Sequence, residues 1–585
     1  MSNNLVIFPE NDFLNSESNN LFIDQFCFDS FKDKSFKNLL INNSTNLKSE
    51  RMQSYELVNK IFYKILNILK PILNDINEVN YDTKCYEILL GAWLRKFIQQ
   101  TLLKFKLLNH ATNDHKIDSV KIFDTKDYLF VTSETQTIQH ATIDENWNAQ
   151  MYSELINYFN FGIKEIQIKN NNKNFFKDNN YLFYKKKELG LKEFSFNILT
   201  IISKFIPNNS NILIYDTGMS KKIEGLLGLK FSSIPRLYAK GYEIKYSNYN
   251  CDLREKIFNY LKKNISKNKS IENFILSIIH KSLPKSLLED FQNIRKLTKK
   301  MYFPKNPSFI LTSYAFENNE IFKSYVAQMK AINKNLKYII YQHGGSYITR
   351  IDNRYNNEFI SADKFITWGK QTDNIWNNNF SFKNFKILNK SNYLLKNPKK
   401  LLVVVRSSGY NAVPYDRYNE GKRQLSSIKS FLNNLDEEIQ KKTIIRGHSS
   451  NKTKDYDNIS KYIKIDYGKL NYFDLLSNSK VVIFNYDSTG MLETLSNNIP
   501  TMCLIPNYEE HLNDLSVNHY KLLSKANILF KDYNKLVNHF SYVWKDINSW
   551  WYDNNVQNII NEFCELYSSK PSKNFTKELK NIILK

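Results

Sequence analysis

The sequence predicts an α/β protein: two doubly wound parallel-sheet domains facing a cleft, with extra helices toward the N-terminus. Three features carry this prediction. Between residues 401 and 530, short apolar runs alternate with helical patterns. Strands are read at 401–405, 443–446, 462–465, 481–484, 501–505 and 527–530, and helices near 423–435, 472–476 and 491–496. A second series of runs, at 211–215, 308–311, 337–341 and 364–367, lies upstream, each near a helical stretch. Several runs stop at Arg, His, Ser or Gly, at the strand ends where an open parallel sheet places its ligand.

The most informative stretch is 480–506. Val481, Val482, Ile483 and Phe484 form the continuous apolar run of a strand buried on both faces. Asn485, Tyr486, Asp487, Ser488, Thr489 and Gly490 follow, and then a helical pattern carrying Leu492, Glu493 and Leu495. The unpaired N–H groups and positive dipole end of a helix start form a natural phosphate seat. Thr489 and Glu493 are four apart and share a helix face, about 5–6 Å from one another. A hydroxyl for a phosphate and a carboxylate for ribose hydroxyls would suit a nucleotide. The competing reading is an ordinary N-cap. A capping box does not account for Glu493, because Met491 and Leu492 stand three residues after Ser488 and Thr489.

With 585 residues the chain is too long for one core. Its 42% hydrophobic content excludes a disordered chain. Lys+Arg outnumber Asp+Glu 82 to 58, a formal net charge of +24 that invites an anionic partner. The excess is mostly Lys and is dispersed, which favours a solvated surface over a nucleic-acid footprint, so no nucleic acid is expected. The five cysteines (Cys27, Cys85, Cys251, Cys503 and Cys564) have no metal-ligand or redox-pair spacing and imply a reducing compartment. No secretory signal or membrane-spanning run is visible. The expected location is cytoplasmic, at most peripheral to an acidic membrane at its inner face.

Residues 55–108 read as two long amphipathic helices, the stronger at 86–105 with Leu89, Trp93, Phe97 and Leu102 at helical spacing. Residues 169–180 read as an exposed loop. The stretch 286–301 shows a capping box, Ser286 with Glu289, ahead of a basic end at Arg295, Lys296, Lys299 and Lys300. An ordinary domain helix is favoured there over one lying on an acidic membrane. A low-hydrophobicity stretch at 389–400 reads as the hinge between an N-terminal domain, 1–390, and a C-terminal domain, 391–585. The aromatic helices at 544–567 suit packing back across that boundary.

Three further strand ends are polar. The run 337–341 ends in Gln342, His343, Gly344 and Gly345; 401–405 ends in Arg406, Ser407, Ser408 and Gly409; 443–446 ends in Arg446, Gly447, His448 and Ser449. Arg suits phosphate, His can take a proton near neutral pH, and glycines allow close backbone approach. Together with 487–490 they describe a polar cleft, His343 on one side and Arg406, Arg446, His448, Ser488 and Thr489 on the other. Asp455 and Asp457 match an Asp-x-Asp metal motif, but in a polar loop where such a match is cheap, so no metal is expected. No Walker loop, dinucleotide fingerprint or zinc spacing is present.

These residues resemble a known family. Gln342–Gly345 with Asp363 and Thr367-Trp368-Gly369, Arg446-x-His448, and Asp487 to Glu493 followed by Asn497-Asn498-Ile499-Pro500-Thr501 look like surface-carbohydrate transferases associated with O-antigen and capsule gene clusters. That family is related to the CDP-glycerol glycerophosphotransferases and bacterial polysialyltransferases of GT-B fold. Residues 89–97 and Asn146-Trp147-Asn148 add two matching signatures. The resemblance implies a GT-B-like, metal-independent, inverting transferase without a cofactor. It would use a nucleotide-sugar donor, or alternatively a nucleotide-polyol donor as in teichoic-acid polymerases, and a glycan or lipid-linked glycan acceptor. It implies His343 as general base, His448 on the nucleotide phosphate (with Ser449 where relatives have proline), and Ser488 and Thr489 as the paired phosphate-binding hydroxyls. A basic RNA- or membrane-binding protein is the alternative of another class.

Overall fold

The computed structural model describes residues 2–31, 38–41, 48–124, 126, 128–170, 211–231, 243–351, 355–370, 379–381, 398–406, 413–415, 417–447, 456 and 459–584. Three parallel sheets organise the described residues.

The first sheet is built from β1 (Asn3–Val6), β2 (Asn19–Phe22), β3 (Asn38–Leu40), β4 (Ser119–Phe123) and β5 (Lys164–Ile168), in the order β3-β2-β1-β4-β5. The sequence analysis marks no strand here. The strands are only three to five residues long and open on polar residues, asparagine in β1, β2 and β3, Ser119 in β4 and Lys164 in β5, which blurs any apolar run. Asn4 and Asn20 are nonetheless buried, and Asn4 Nδ2 donates to Asn20 Oδ1 and Phe13 O, each at 3.0 Å. Burial of these amides is tolerated because they are hydrogen-bonded. The helix Lys48–Asn77 buries Val58, Ile61, Phe62, Ile65, Leu66 and Leu69 against this unit. The second expected helix is two, Thr83–Leu89 and Gly91–Asp114.

The second sheet contains β6 (Ile212–Ile214), β7 (Phe309–Thr312), β8 (Lys337–Tyr341), β9 (Lys364–Thr367) and β10 (Asn379–Ser381), neighbours in chain order. The third contains β11 (Lys400–Val404), β12 (Thr443–Arg446), β13 (Lys464–Asp466), β14 (Ser479–Phe484), β15 (Thr501–Leu504) and β16 (Leu529–Phe530), in the order β13-β12-β11-β14-β15-β16. Strand order reverses between β11 and β14. That is the topological switch point, where loops leave in opposite directions and open a crevice. One apolar core runs from the second sheet (Ile339, Ile366, Trp368) into the third (Leu402, Val482, Ile483). Two parallel α/β units meeting through the loops at their strand ends form the GT-B-like arrangement that the sequence predicts.

The C-terminal helices pack back on the second sheet. After the helix Asn554–Tyr567, Ser569 N–H donates to Trp368 O at 2.8 Å, and Lys370 N–H donates to Glu565 O at 2.9 Å. The helix Phe575–Leu584 lies against the helix Lys221–Lys230, where Lys580 Nζ donates to Lys230 O at 2.5 Å. Most of the expected hinge, 389–397, and most of the expected exposed loop, 171–180, lie outside the described residues.

One expectation is corrected. Ser286 and Glu289 form no capping box, because Ser286 lies in a short 3-10 turn, Lys285–Leu287, and the helix is Phe291–Leu297. Glu289 instead takes a two-pronged ion pair from Arg254, at 2.7 and 2.9 Å, in which both side chains are buried. The apolar face of this helix, Phe291 and Ile294, is in the core, so it is a domain helix. Among the described residues no helix is long and apolar enough to cross a membrane.

Candidate functional site

The loop after β8 and the turn after β14 touch. Gly345 N–H donates to Thr489 Oγ1 at 2.8 Å, and Ser346 Oγ donates to Asp487 O at 2.7 Å. A Cβ on Gly345 would lie 2.8 Å from Ser488 C and Thr489 N, so only glycine allows this approach. Beyond it, Arg350 bridges to Leu512, and Asn513 Nδ2 donates to Ile348 O at 2.8 Å. The two strand ends predicted to face one another across a cleft are stitched together at this point.

On the β8 side, Gln342 is a brace. Its Nε2 donates to Gly344 O at 2.7 Å, and its Oε1 accepts Trp368 N–H at 2.9 Å. Asp363 is likewise structural, accepting Tyr338 N–H at 2.7 Å and pairing with Lys330 at 2.9 Å. His343 is half-buried, with its ring nitrogens 3.0 and 3.1 Å from the Tyr347 hydroxyl. The Tyr314 ring lies 4.8 Å from the His343 ring.

Two acids stand behind His343. Burial pushes Glu317 up, but Lys96 and then His343 more than offset it and hold its carboxyl below the usual range. Burial and the Glu317 charge push Glu358 up to about 7, against hydrogen bonding from Tyr347. Tyr347 therefore links the imidazole to a buried carboxyl.

On the β14 side, Ser488 caps the helix Thr489–Ser496, its Oγ accepting Met491 N–H at 3.0 Å. The N-cap reading of Ser488 is thus realised, and Thr489 faces the glycine loop. Gly490 packs tightly, since a Cβ there would lie 2.9 Å from Phe484 Cε1. Glu493 is buried one turn along the same helix. Across the switch point, Arg406 N–H donates to Asn485 Oδ1 at 2.8 Å, tying the ends of β11 and β14 together.

Arg446 stands apart, at the end of β12. Its Nη1 donates to Asp466 Oδ2 at 2.5 Å and to Leu470 O at 2.6 Å, so its guanidinium already has protein partners. Ser407, His448, Asp455 and Asp457 lie outside the described residues.

The sequence analysis missed a set of charges around Arg406. Glu420 lies within 4 Å of three guanidiniums: Arg51 at 3.2 Å, Arg350 at 3.8 Å and Arg406 at 3.9 Å. Arg350 also approaches Asp487 at 3.5 Å. Burial, then the positive charges of Arg350 and Arg417 on either side of the Glu420 attraction, leave Arg406 lowered to about 10. Burial and then Arg350 depress His511 to about 4, so it is neutral near pH 7. Apart from Arg406 and Asp487, which the strand ends mark, only Arg350 carries a sequence signal, because it follows the glycine loop by five positions. Arg51 comes from a helix some 350 residues upstream in the chain.

A family model described as LIC12162 family transferase matches residues 3–583. The chain belongs to this transferase family. No curated protein matches. Similar solved structures include the wall teichoic acid polymerase TagF, 12% identical over 50% of this chain and 84% of that chain, with a TM-score of 0.28. MurG of Acinetobacter baumannii is 10% identical over 65% and 99%, at a TM-score of 0.31. The spinosyn rhamnosyltransferase SpnG, complexed with spinosyn aglycone, is 8% identical over 64% and 100%, also at 0.31. At such TM-scores the topology of this family member rests on its own strand pairings.

Proposed function

We propose that this transferase moves a glycosyl group from a nucleotide-activated donor to a hydroxyl acceptor, without a metal, in bacterial surface-polysaccharide assembly such as O-antigen or capsule. The observation that carries the reading is the contact of the His343 loop with the start of the Thr489–Ser496 helix, beside the switch point of the third sheet. A nucleotide bound at that switch point would rest its phosphates against the helix start and Arg406, with Glu493 toward the ribose. His343 would take the proton of the acceptor hydroxyl as its oxygen attacks the anomeric carbon. The carbon–oxygen bond to the donor phosphate breaks, and the nucleotide leaves with the electron pair. Attack from the face opposite the leaving group inverts the centre. Positioning and electrostatic stabilisation of the leaving phosphate supply most of the acceleration.

The test is incubation of the purified chain with a panel of nucleotide-sugars and CDP-polyols plus glycan and lipid-linked acceptors. Acceptor-dependent release of nucleotide from a sugar donor supports the reading. Turnover of CDP-polyols alone would replace glycosyl with polyol-phosphate transfer.

A further inference from the structure

We propose that Arg51, Arg350 and Arg406 form a buried anion site for a phosphate group, and that Glu420 occupies the place of that anion in the present structure. For the source of the phosphate, the donor, this rests on the function proposed above; the anion chemistry stands on the geometry.

Arg51 is 1% exposed and its guanidinium lies 4.1 Å over the Tyr415 ring. Only its Nη1 makes a hydrogen bond, to Glu420; Nε and Nη2 are buried without one. Glu420 is the shared counter-charge, but only Arg51 reaches it at hydrogen-bond distance. Its Oε1, between Arg350 and Arg406, accepts no hydrogen bond. The fit is loose for a carboxylate among three forks built for two-pronged contacts.

Among the described residues, positive charge outnumbers negative around Glu420. The buried guanidiniums of Arg51 and Arg350 and the partly exposed one of Arg406, with Arg417 acting on Arg406 as a fourth positive charge, face the buried carboxylates Glu420 and Asp487 and the partly exposed Glu510, 3.9 Å from Arg51. Buried charge is costly unless paired. Beside Glu420 a void is lined by Gln424, Glu510 and His511. Gln424 and His511 are each 2% exposed, and both amide atoms of Gln424 and Nε2 of His511 lack hydrogen-bond partners. A water would satisfy some of these atoms, but it carries no charge. A phosphate oxyanion would bring negative charge and would accept from the unsatisfied N–H groups of Arg51 and of the Gln424 amide. The cluster draws on the Lys48–Asn77 helix, the loop after β8 and the β11 end, so an anion there would also tie the N-terminal part of the chain to the donor unit.

The experiment is calorimetric titration of the full chain with inorganic pyrophosphate, orthophosphate, UDP and CDP. The variants are Glu420→Gln, which removes the competing carboxylate, and Arg51→Lys, which keeps charge but loses the fork. The expected result is pyrophosphate binding that tightens in Glu420→Gln and weakens about tenfold or more in Arg51→Lys, the size of one charge-assisted hydrogen bond. If Arg51→Lys does not fold, the Glu420→Gln arm decides. Pyrophosphate affinity that is absent, or no tighter in Glu420→Gln, overturns the site. Nucleotide binding lost in Ser488→Ala/Thr489→Ala but indifferent to Arg51→Lys overturns the site and leaves the donor reading standing. Phosphate and pyrophosphate binding with the expected variant pattern, but without nucleotide binding, keeps the site for free phosphate and removes the donor reading.

Discussion

The two adjacent glycines of the loop after β8 should respond very differently to one added methyl group. A Cβ at Gly345 would meet Ser488 C and Thr489 N at 2.8 Å and Ser488 O at 3.0 Å, all main-chain atoms of the donor-side turn. A Cβ at Gly344 would meet Tyr347 Cε2 at 3.5 Å, Thr489 Oγ1 at 3.7 Å and Tyr347 Cδ2 at 4.0 Å, ordinary van der Waals contact. Neither glycine has a positive φ, so backbone strain does not enter. Gly345→Ala must push the loop off the turn, at about 1–3 kcal/mol for overpacking. It also weakens the Gly345–Thr489 bond, worth about 0.5–1.5 kcal/mol net. At roughly 2–4 °C per kcal/mol for a domain of 150–250 residues, the melting temperature should fall by several degrees. Transfer activity should fall with it, because the loop carries His343. Gly344→Ala should stay within about 1 kcal/mol of wild type. Differential scanning calorimetry of both variants, with donor turnover alongside, checks this. Equal stability and activity for the two would refute the reading that these loops meet at Gly345.

His343→Ala should lower turnover by about 10²–10⁴-fold while donor affinity barely changes, as steady-state kinetics and titration would show; affinity falling in step with rate would make the residue structural. Glu358 gives a pH signature. Its folded value of about 7 is raised from 4.5, so its contribution to stability is complete below the unfolded value and is lost as pH rises through about 7. Glu358→Gln should therefore flatten the stability profile between about pH 5 and 8, with up to about 3 kcal/mol at stake, read from urea melts at each pH. Chelation with EDTA should leave transfer activity unchanged; loss restored by Mg²⁺ or Mn²⁺ would bring Asp455 and Asp457 into the mechanism.

Legibility in the sequence followed burial on both faces. Strands β8, β9 and β12 coincide with their apolar runs, and β11, β14 and β15 differ by at most two residues at an end. The first sheet was hidden because its short strands spend positions on asparagines that the fold buries in hydrogen bonds to one another. The 86–105 helix is interrupted at Leu90, and the next residue is glycine because a Cβ there would lie 2.0 Å from Asn357 Oδ1, a contact made across the fold. At the site, polar strand ends identified both loops that touch, His343–Gly345 and Asp487–Thr489. They did not show that Thr489 engages Gly345 or that Arg446 is held by Asp466, and they left Ser488 between a cap and a phosphate contact. Arg51 and Glu420 were invisible for a simpler reason. Buried charges look like surface charges until the chain has folded and brought distant segments together.

The central claim is that a nucleotide donor sits at the helix start beside the switch point of the third sheet. Its most direct test is the nucleotide affinity of wild type against Ser488→Ala/Thr489→Ala, measured by titration calorimetry on variants verified to be folded. Capping loss at Ser488 costs only about 1 kcal/mol, so the double variant should remain native. Loss of even one hydroxyl contact to a charged phosphate should weaken binding about tenfold or more. That loss, with the fold intact, is the expected result. Unchanged nucleotide affinity in the folded double variant would contradict it.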